Sequence, residues 1–292
     1  MEFRTLKYFL AIAREQNMTN AASVLHVSQS ALSRQISDLE DELNTSLFIR
    51  TGRKMILTDD GMRLRKRAEE ITSLVNRTEM EFLEGDDDVV GNVFIGAVET
   101  SAMYRISKVI ARINKIYPHI QFHVQSGTSD VLSDKIDKGL LDFGILFEPF
   151  NKDRYDYIEI SSDDRIGLIT RADSEYANYE YITPEILKNI PILYSTRQKA
   201  YVSLYDGWGG LNSEDLNIAG SYNFIFNASL LVESGFGNAL AIDGLLHNDS
   251  LKYIPLKPEI PLTLFFVWKK FQFPSMTSEI FLSEIKKEFD IN

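Results

Sequence analysis

The chain has 292 residues, which predicts two or three compact units rather than one. It is 44% hydrophobic and 25% charged and has no apolar run of the ~18 residues that a membrane span requires, so fibrous, disordered and membrane-spanning proteins are excluded. The net charge of −11 is unevenly divided, with +2 on the first 77 residues and −13 on the rest, so the overall acidity does not exclude DNA as a partner of the N-terminal part.

The N-terminal segment, MEFRTLKYFLAIAREQ, predicts a helix rather than an export signal, because charges interrupt its apolar run and no small-residue cleavage site follows. We therefore expect a cytoplasmic protein with no membrane partner. A short second helix follows, with Thr19 as its predicted cap, and Ser28 is placed to cap a third helix. Three helices spaced this closely predict a compact N-terminal domain.

The third predicted helix has two contrasting faces. Its apolar stripe steps by four, three and four residues through Leu32, Ile36, Leu39 and Leu43. Hydrogen-bonding side chains occupy the other face near the start of the helix: Gln29, Ser30, Ser33, Arg34 and Ser37. A helix that enters the major groove of DNA presents such side chains at this position. A merely solvated helix face has the same composition, so the helix alone leaves both interpretations open.

A basic β-hairpin is predicted after the third helix. Two short strands, residues 47–50 and 55–57, flank the tip Thr51-Gly52-Arg53-Lys54. Three helices followed by a basic hairpin predict a winged helix-turn-helix, which is a DNA-binding fold. For Arg50 the alternative is a surface ion pair.

The run TNAASVLHVSQSALSRQISDLEDELNTSLFIRTGRKMILTDDG resembles the signature of the LysR-type transcriptional regulators. The matching positions are Ala21-Ala22, Leu25, Ser28-Gln29-Ser30, Leu32-Ser33, Gln35-Ile36, Leu39-Glu40, Leu43, Leu47-Phe48, Arg50, Leu57-Thr58 and Gly61. The resemblance is strong over about the first 60 residues. It implies a transcription factor whose partner is double-stranded DNA at a promoter or operator.

The same resemblance implies how the N-terminal residues contact DNA. Gln29, Ser30, Ser33 and Arg34 would face bases or phosphates in the major groove. Arg50 and Arg53 would approach the backbone or the minor groove, and we group Lys54 of the basic tip with them.

A long helix is predicted from residue 59 to about residue 83. Its apolar positions follow a heptad pattern: Leu64, Ala68, Ile71, Val75, Thr78 and Phe82. Such a pattern predicts pairing with another helix, the alternative being packing on its own domain. The basic run Arg63, Arg65, Lys66 and Arg67 is more typical of a solvated face than of phosphate contact. LysR-type regulators dimerise through this helix, which implies a homodimer and, beyond it, a homotetramer.

Strands and helices alternate after the acidic segment 84–88, which we interpret as a hinge. This alternation predicts a parallel sheet, at whose carboxyl edge ligands bind. Hydroxyl-bearing turns at Thr100-Ser101 and at Ser126-Gly127-Thr128-Ser129 fall at that edge. From the residues alone, these side chains are more simply interpreted as helix caps.

Residues 91–144 are similar to the first lobe of the LysR-type effector domain, which resembles periplasmic binding proteins. The resemblance implies a small-molecule effector between two lobes, held by the two hydroxyl-bearing turns together with Thr196 and Arg197. Glu99 adds a negative charge beside Thr100, so an amino-bearing or neutral effector is an alternative to a carboxylate. The turn Ser234-Gly235-Phe236-Gly237 matches the family pattern, whereas Asp243 stands where the family has proline.

The predicted fold class is α/β overall: an N-terminal winged helix-turn-helix, a long linker helix and a C-terminal two-lobed, periplasmic-binding-protein-like α/β effector domain. The expected domains are 1–58 for DNA binding, 59–85 for the linker and dimerisation helix, and 86–292 for effector binding. Lobe one is expected to comprise about 90–161 and 265–292, and lobe two about 162–264.

We expect a sequence-specific regulator modulated by a bound effector, with RNA polymerase as a further candidate partner. The alternative is a DNA-binding regulator that acts without a ligand. An enzyme is disfavoured because the sequence contains none of the nucleophile-elbow, P-loop or H-E-x-x-H motifs and no cysteine. We expect no cofactor and no metal; His119 and His123 are spaced four apart on a predicted strand, which does not suit a shared metal.

Overall fold

A computed structural model describes residues 1–52, 54–81, 89–160, 164–196, 208–246, 248–260, 262–271 and 274–290. Its contacts divide the chain into two compact units, Met1–Glu84 and Gly85–Asn292. Arg53, Phe82 and Arg197, and the segment 84–88 that we interpret from the sequence as a hinge, lie outside the described residues.

The first unit begins with three helices, α1 (Phe3–Glu15), α2 (Met18–Val24) and α3 (Gln29–Leu43). The prediction that Thr19 caps α2 is wrong. Asn17 is the cap, because its side-chain oxygen accepts hydrogen bonds from the amides of Thr19 and Asn20 at 2.9 and 3.1 Å. Thr19 already lies inside the helix. Ser28 caps α3 as predicted, its hydroxyl accepting from the amide of Ala31 at 3.2 Å.

The core of the first unit contains the apolar stripe of α3. Leu32, Ile36 and Leu39 are buried, as the spacing predicts. Leu43 is 40% exposed, so its predicted burial is wrong. The physical reason is that Leu43 is the last residue of α3: the chain reverses at Asn44 in the left-handed conformation, and the final turn carries Leu43 outside the core.

The hairpin consists of antiparallel β1 (Phe48–Thr51) and β2 (Lys54–Leu57), and the long helix α4 (Asp59–Glu81) follows it. The Glu40 carboxylate of α3 accepts from the amides of Leu47 at 2.6 Å and Phe48 at 3.1 Å, which holds the start of the hairpin. Gly61 lies against the same segment, where a Cβ atom would stand 2.1 Å from the Leu47 carbonyl oxygen. Three helices with a wing confirm the predicted N-terminal fold.

The second unit is built from two five-stranded sheets. In chain order, its strands are β3 (Gly91–Ala97), β4 (Ile120–Ser126), β5 (Phe143–Phe147), β6 (Tyr155–Ile160), β7 (Ile166–Arg171), β8 (Ile192–Ser195), β9 (Ile218–Tyr222), β10 (Asn238–Ile242), β11 (Leu251–Pro255) and β12 (Leu264–Lys269). Its described α-helices are α5 (Met103–Ile116), α6 (Ser129–Asp137), α7 (Pro184–Leu187), α8 (Ile225–Glu233) and α9 (Met276–Glu288).

The first sheet has the order β4-β3-β5-β12-β6, with β3 parallel to β4 and β5 and with β12 antiparallel to β5 and β6. The second has the order β11-β7-β10-β8-β9, in which β8 is parallel to β9 and β10. The chain passes from one sheet to the other between β6 and β7, and returns between β11 and β12. Two crossings between mixed α/β lobes confirm the predicted fold class.

Candidate nucleic-acid interface and ligand pocket

The polar face of α3 lies on the surface of the first unit. Gln29, Ser30 and Arg34 are exposed and Ser33 is half-buried. Because residues four apart in a helix lie on the same side, Ser30 aligns with Arg34 and Gln29 with Ser33. The burial of the opposite stripe orients these side chains outward, so α3 presents hydrogen-bonding groups to solvent near its start.

Two cations of this surface have no neutralising partner among the described residues. Arg34 and Lys54 are exposed, and neither makes an ion pair or hydrogen bond with any residue that the structure describes. Arg50 is different, since its guanidinium donates to the Ser33 hydroxyl at 3.2 Å and so links the wing to α3. Together they form a surface of α3 and wing with free positive charge, as an anionic partner requires.

The basic run of α4 has the opposite character. Arg63, Arg65 and Arg67 pair with carboxylates of their own helix, Asp60 at 3.3 Å, Glu69 at 2.9 Å and Glu70 at 2.9 Å. These partners lie three or four residues away, where helix geometry places them. The basic run is therefore a solvated helix face whose arginines pair within the helix. This agrees with the sequence-based interpretation, which preferred a solvated face to phosphate contact.

The predicted heptad seam of α4 divides into two parts. Leu64 is half-buried against the core of its own unit and Ala68 is fully buried within it. Farther along, Ile71 is 38% and Leu74 is 44% exposed. For Leu64 and Ala68 the structure therefore favours packing on the same domain, the alternative that the sequence left open. Of the remaining seam positions, Val75 is half-buried, Thr78 is exposed, and Phe82 lies outside the described residues.

A pocket of about 460 Å³, open solvent included, lies between the two sheets of the second unit. The first sheet and its loops contribute Val98, Glu99, Gly127, Thr128, Ser129 and Phe147. The second sheet and its helix contribute Ser195, Tyr222, Ile225, Ala241, Ile242 and Leu245. Its mixture of apolar walls with a few polar groups is typical of small-molecule sites.

The predicted effector residues divide into those that line this pocket and those that do not. Glu99, Gly127 and Thr128 line it. Thr128 also caps α6, accepting from the amide of Val131 at 3.3 Å. Two others are absent from the lining: Ser126 is exposed, and Thr196 donates to the Tyr222 carbonyl oxygen at 3.1 Å.

The turn at Thr100-Ser101 is occupied by the chain itself. Asp164, at the crossing between the sheets, accepts from the hydroxyls of Thr100 and Ser101. It also accepts from the amide of Ser101 at 3.0 Å. The hydroxyls and the amide thus form an anion-binding turn as the sequence suggests, but their ligand in this structure is a carboxylate of the protein.

Glu99 connects the two lobes across the pocket. Its carboxylate accepts from the amide of Ile225 at 3.3 Å, at the first residue of α8. Phe224, which precedes α8, provides no side-chain cap, so Glu99 serves that N-terminus from the opposite lobe.

From the second lobe the sequence predicted only Thr196 and Arg197, and it missed the residues of that lobe that line the pocket as well as the role of Asp164. Ser195, Tyr222 and Ile225 come from β8, β9 and α8, which no local motif joins. Tyr222 is held by a 2.6 Å hydrogen bond to the Leu240 carbonyl oxygen. The one available signal for Asp164 was its place at the predicted crossing between the lobes.

The remaining features singled out in the sequence have structural roles. His123 lies on β4 and bonds Asn92 at 2.7 Å. Gly235 has a φ of +84° in the turn after α8, the helix-ending conformation that its pattern predicts. Within the described ranges, no group of three potential metal ligands is found, and no helix is both long and apolar enough to cross a membrane.

Comparison with known proteins gives matches to both units. A model of the lysR family of bacterial regulatory helix-turn-helix proteins matches residues 3–62, and a model of the LysR substrate-binding domain matches residues 86–290. Among solved structures, the full-length regulator CbnR in complex with its target DNA covers 99% of this chain and 100% of its own, with a TM-score of 0.76 at 18% identity. That likeness shows the shared fold.

Two relatives from Bacillus subtilis illustrate the sequence similarity. The transcriptional regulator BsdA is 36% identical over 146 residues, which is half of each chain. The transcriptional regulator YofA is 26% identical over 98% of this chain and 99% of its own.

Proposed function

This chain belongs to the LysR family of bacterial transcriptional regulators, and we propose that it reads its DNA sites through the exposed surface of α3 and the wing. The observation that carries this proposal is Arg34, an exposed cation without a partner among the described residues, on a helix face of hydrogen-bonding side chains. Gln29, Ser30, Ser33 and Arg34 read base edges or phosphates in the major groove. Arg50, Arg53 and Lys54 contact the backbone or minor groove.

The test is a footprint of the purified protein on DNA from its own upstream region, across a salt series. Arg34→Ala should weaken binding about ten- to a hundredfold, because a guanidinium on a base or phosphate contributes ~1–3 kcal/mol. The matched control is Arg63→Ala, since Arg63 is exposed but paired with Asp60. Equal losses in both variants contradict the assignment of Arg34, and no protection at low salt contradicts the proposed function.

The second part of the proposal places a small-molecule effector in the pocket between the sheets. Glu99, Gly127 and Thr128 from one lobe and Ser195 and Tyr222 from the other would surround it. A ligand held by both lobes favours their closed arrangement, and closure changes the packing between protomers and the spacing of their paired recognition helices. A ligand that binds without altering the footprint would contradict this, leaving a regulator that acts without an effector.

The third part is a homodimer paired through α4, the first contact of a tetramer. The supporting observation is that Ile71 and Leu74 are exposed apolar residues beyond the part of α4 that its own unit covers. A paired site then presents two half-sites to two recognition helices. We expect Ile71→Glu to shift the sedimentation mass toward the monomer, with Met62→Glu, an exposed position near the start of α4, as the control.

A further inference from the structure

Two carboxylates of the chain bond groups that could hold an anionic ligand: Asp164 bonds the Thr100-Ser101 turn, outside the pocket lining, and Glu99 lies in the lining itself. The first is Asp164, which is only 6% exposed and accepts from the hydroxyls of Thr100 and Ser101 and from the Ser101 amide. Those donors form the first of the two turns expected to hold an effector. A carboxylate with three donors has its hydrogen-bonding needs largely met, so a second anion there would have to displace it.

The second carboxylate is Glu99, which accepts from the Ile225 amide at the N-terminus of α8. A helix N-terminus is a position that attracts anions. Here the partial positive charge of α8 is already matched with a negative charge from the opposite lobe. An anionic effector would meet a carboxylate in the wall of the pocket, and a cationic effector would have to compete with α8 for it.

Among the described residues of the lining, Ser195 offers a polar group to a ligand. Ser195, at the end of β8, is 5% exposed and lines the pocket, and its hydroxyl makes no hydrogen bond with any residue that the structure describes. A hydroxyl that faces the pocket and has no bond to the described protein can bond a polar group of a ligand. The surrounding walls are apolar and include Val98, Phe147, Ile242 and Leu245.

We propose that the effector of this regulator is an uncharged molecule with an apolar body and one hydroxyl or carbonyl group that bonds Ser195. Asp164 acts as a built-in carboxylate that closes the anion-binding turn at Thr100-Ser101. This inference rests on the proposed function, because it names the chemical class of the ligand for the same pocket.

The first experiment compares three probes that share one ring and differ in charge: benzyl alcohol, benzoate and benzylamine, titrated into the full-length protein at pH 7. Benzyl alcohol should bind at least about tenfold more tightly than either charged probe, because the described lining offers no cation for benzoate and its one carboxylate, Glu99, already bonds α8. Equal or tighter binding of benzoate or benzylamine overturns the inference, as does an absence of saturable binding by benzyl alcohol.

Ser195→Ala locates the probe. We expect it to weaken benzyl alcohol about three- to tenfold, the range of one neutral hydrogen bond. The control is Ser221→Ala, an exposed serine on the neighbouring strand β9 that does not line the pocket. An unchanged affinity in Ser195→Ala, or equal losses in both variants, contradicts the role of Ser195.

The second experiment removes the built-in carboxylate. Asp164→Ala should lower the melting temperature of the second unit, and acetate should raise it again by filling the vacated position, whereas chloride at equal ionic strength should not. Asp164→Asn keeps the side-chain shape, and acetate should not stabilise it. Equal effects of acetate on Asp164→Ala and on the unaltered protein overturn the assignment.

Failure of the uncharged-effector proposal and failure of the proposed regulatory function can be distinguished by footprinting the protein on its DNA. A protein that protects its operator and binds benzoate best refutes the uncharged effector and leaves the regulator intact. A protein that binds benzyl alcohol but protects no DNA refutes the regulator and leaves the chemistry of the pocket standing.

Discussion

The DNA-contacting surface and the ligand pocket are assembled in opposite ways. The described part of the surface comes from residues 29–54, one continuous stretch, and two of its cations, Arg34 and Lys54, have no partner among the described residues. The pocket collects side chains from the loops and ends of separate strands in two lobes. Glu99 of its lining and Asp164, which bonds the turn that follows Glu99, are both bonded to the protein itself. The surface is free to act on a partner, whereas much of the polar chemistry of the pocket already holds the fold together.

That difference separates the consequences of substitution. Removing an unpaired surface cation leaves no buried group unsatisfied, so binding should change while stability stays nearly constant. Removing a carboxylate that accepts hydrogen bonds within the second unit leaves its donors without an acceptor. The main effect should therefore be on the free energy of unfolding. Each of the following predictions tests one side of this contrast.

The largest effect is expected at Asp164. Asp164→Ala leaves two hydroxyls and one amide without their acceptor in a buried place, which should lower the free energy of unfolding of the second unit by about 2–4 kcal/mol. Urea denaturation followed by a probe in that unit measures it. The control is Asp173→Ala, whose carboxylate is exposed and paired with Arg171, and whose loss should leave the free energy of unfolding nearly unchanged. Equal costs would mean that Asp164 does not stabilise the cleft.

A smaller effect is expected where the recognition surface depends on a bonded carboxylate. Glu40 accepts from the amides of Leu47 and Phe48, so Glu40→Gln should cost about 1–2 kcal/mol and loosen the start of the wing. Hydrogen exchange at those two amides should accelerate. Glu42→Gln, an exposed carboxylate paired with the N-terminus, is the control and should leave both amides protected. Unchanged exchange in Glu40→Gln would show that a neutral amide oxygen holds the start of the wing as well as the carboxylate does.

Most of the first unit could be predicted from sequence because its determinants are local. The stripe of α3 and the cap at Ser28 lie within a few residues of the structure that they specify. The two errors occur at helix ends, where Asn17 and Thr19 are both good caps and where the position of Leu43 depends on where α3 stops. The burial of Leu64 and Ala68 against their own unit was also open, since a heptad pattern does not identify its partner.

The pocket could be predicted only in outline. The strand and helix rhythm placed Gly127 and Thr128 at the correct edge of the first sheet. The bond from Thr100 to Asp164 joins residues 64 positions apart, and that from Glu99 to Ile225 joins residues 126 positions apart. The hydrophobic periodicity of the sequence does not predict such contacts, because they depend on how one lobe packs against the other.

The second unit should also respond to alkaline pH through Tyr155. Burial raises the pKa of Tyr155 to about 12, and its hydrogen bond to Asp137 at 3.0 Å adds to the shift. Because the folded state keeps this phenol protonated after the unfolded state has lost the proton, the stabilisation is complete below pH 10 and is lost as the pH rises toward 12. Between pH 10 and 11, the free energy of unfolding should fall by about 1 kcal/mol more than in Tyr155→Phe.

Tyr157→Phe supplies the comparison for that measurement, since Tyr157 lies on the same strand and is exposed. It should follow the pH dependence of the unaltered protein. Identical slopes for the unaltered protein and Tyr155→Phe would contradict the shifted pKa. A phenolate absorbance titration gives an independent check: burial also raises the pKa values of Tyr176 and Tyr253, so Tyr155→Phe should have one fewer late-titrating tyrosine than the unaltered protein.

The smallest effect is expected on DNA binding when a cation at the edge of the recognition surface is removed. Lys54 is an exposed cation at the start of β2, so Lys54→Ala should leave stability unchanged. If Lys54 neutralises one phosphate, its removal should make the slope of log affinity against log salt less steep by about 0.9, uniformly across DNA sequences. Lys287→Ala is the control, because Lys287 pairs with Glu284 in the second unit and should not alter the slope. An unchanged slope in Lys54→Ala would confine the contact surface to α3, whereas a change in sequence preference would mean that the wing reads bases and not only the backbone.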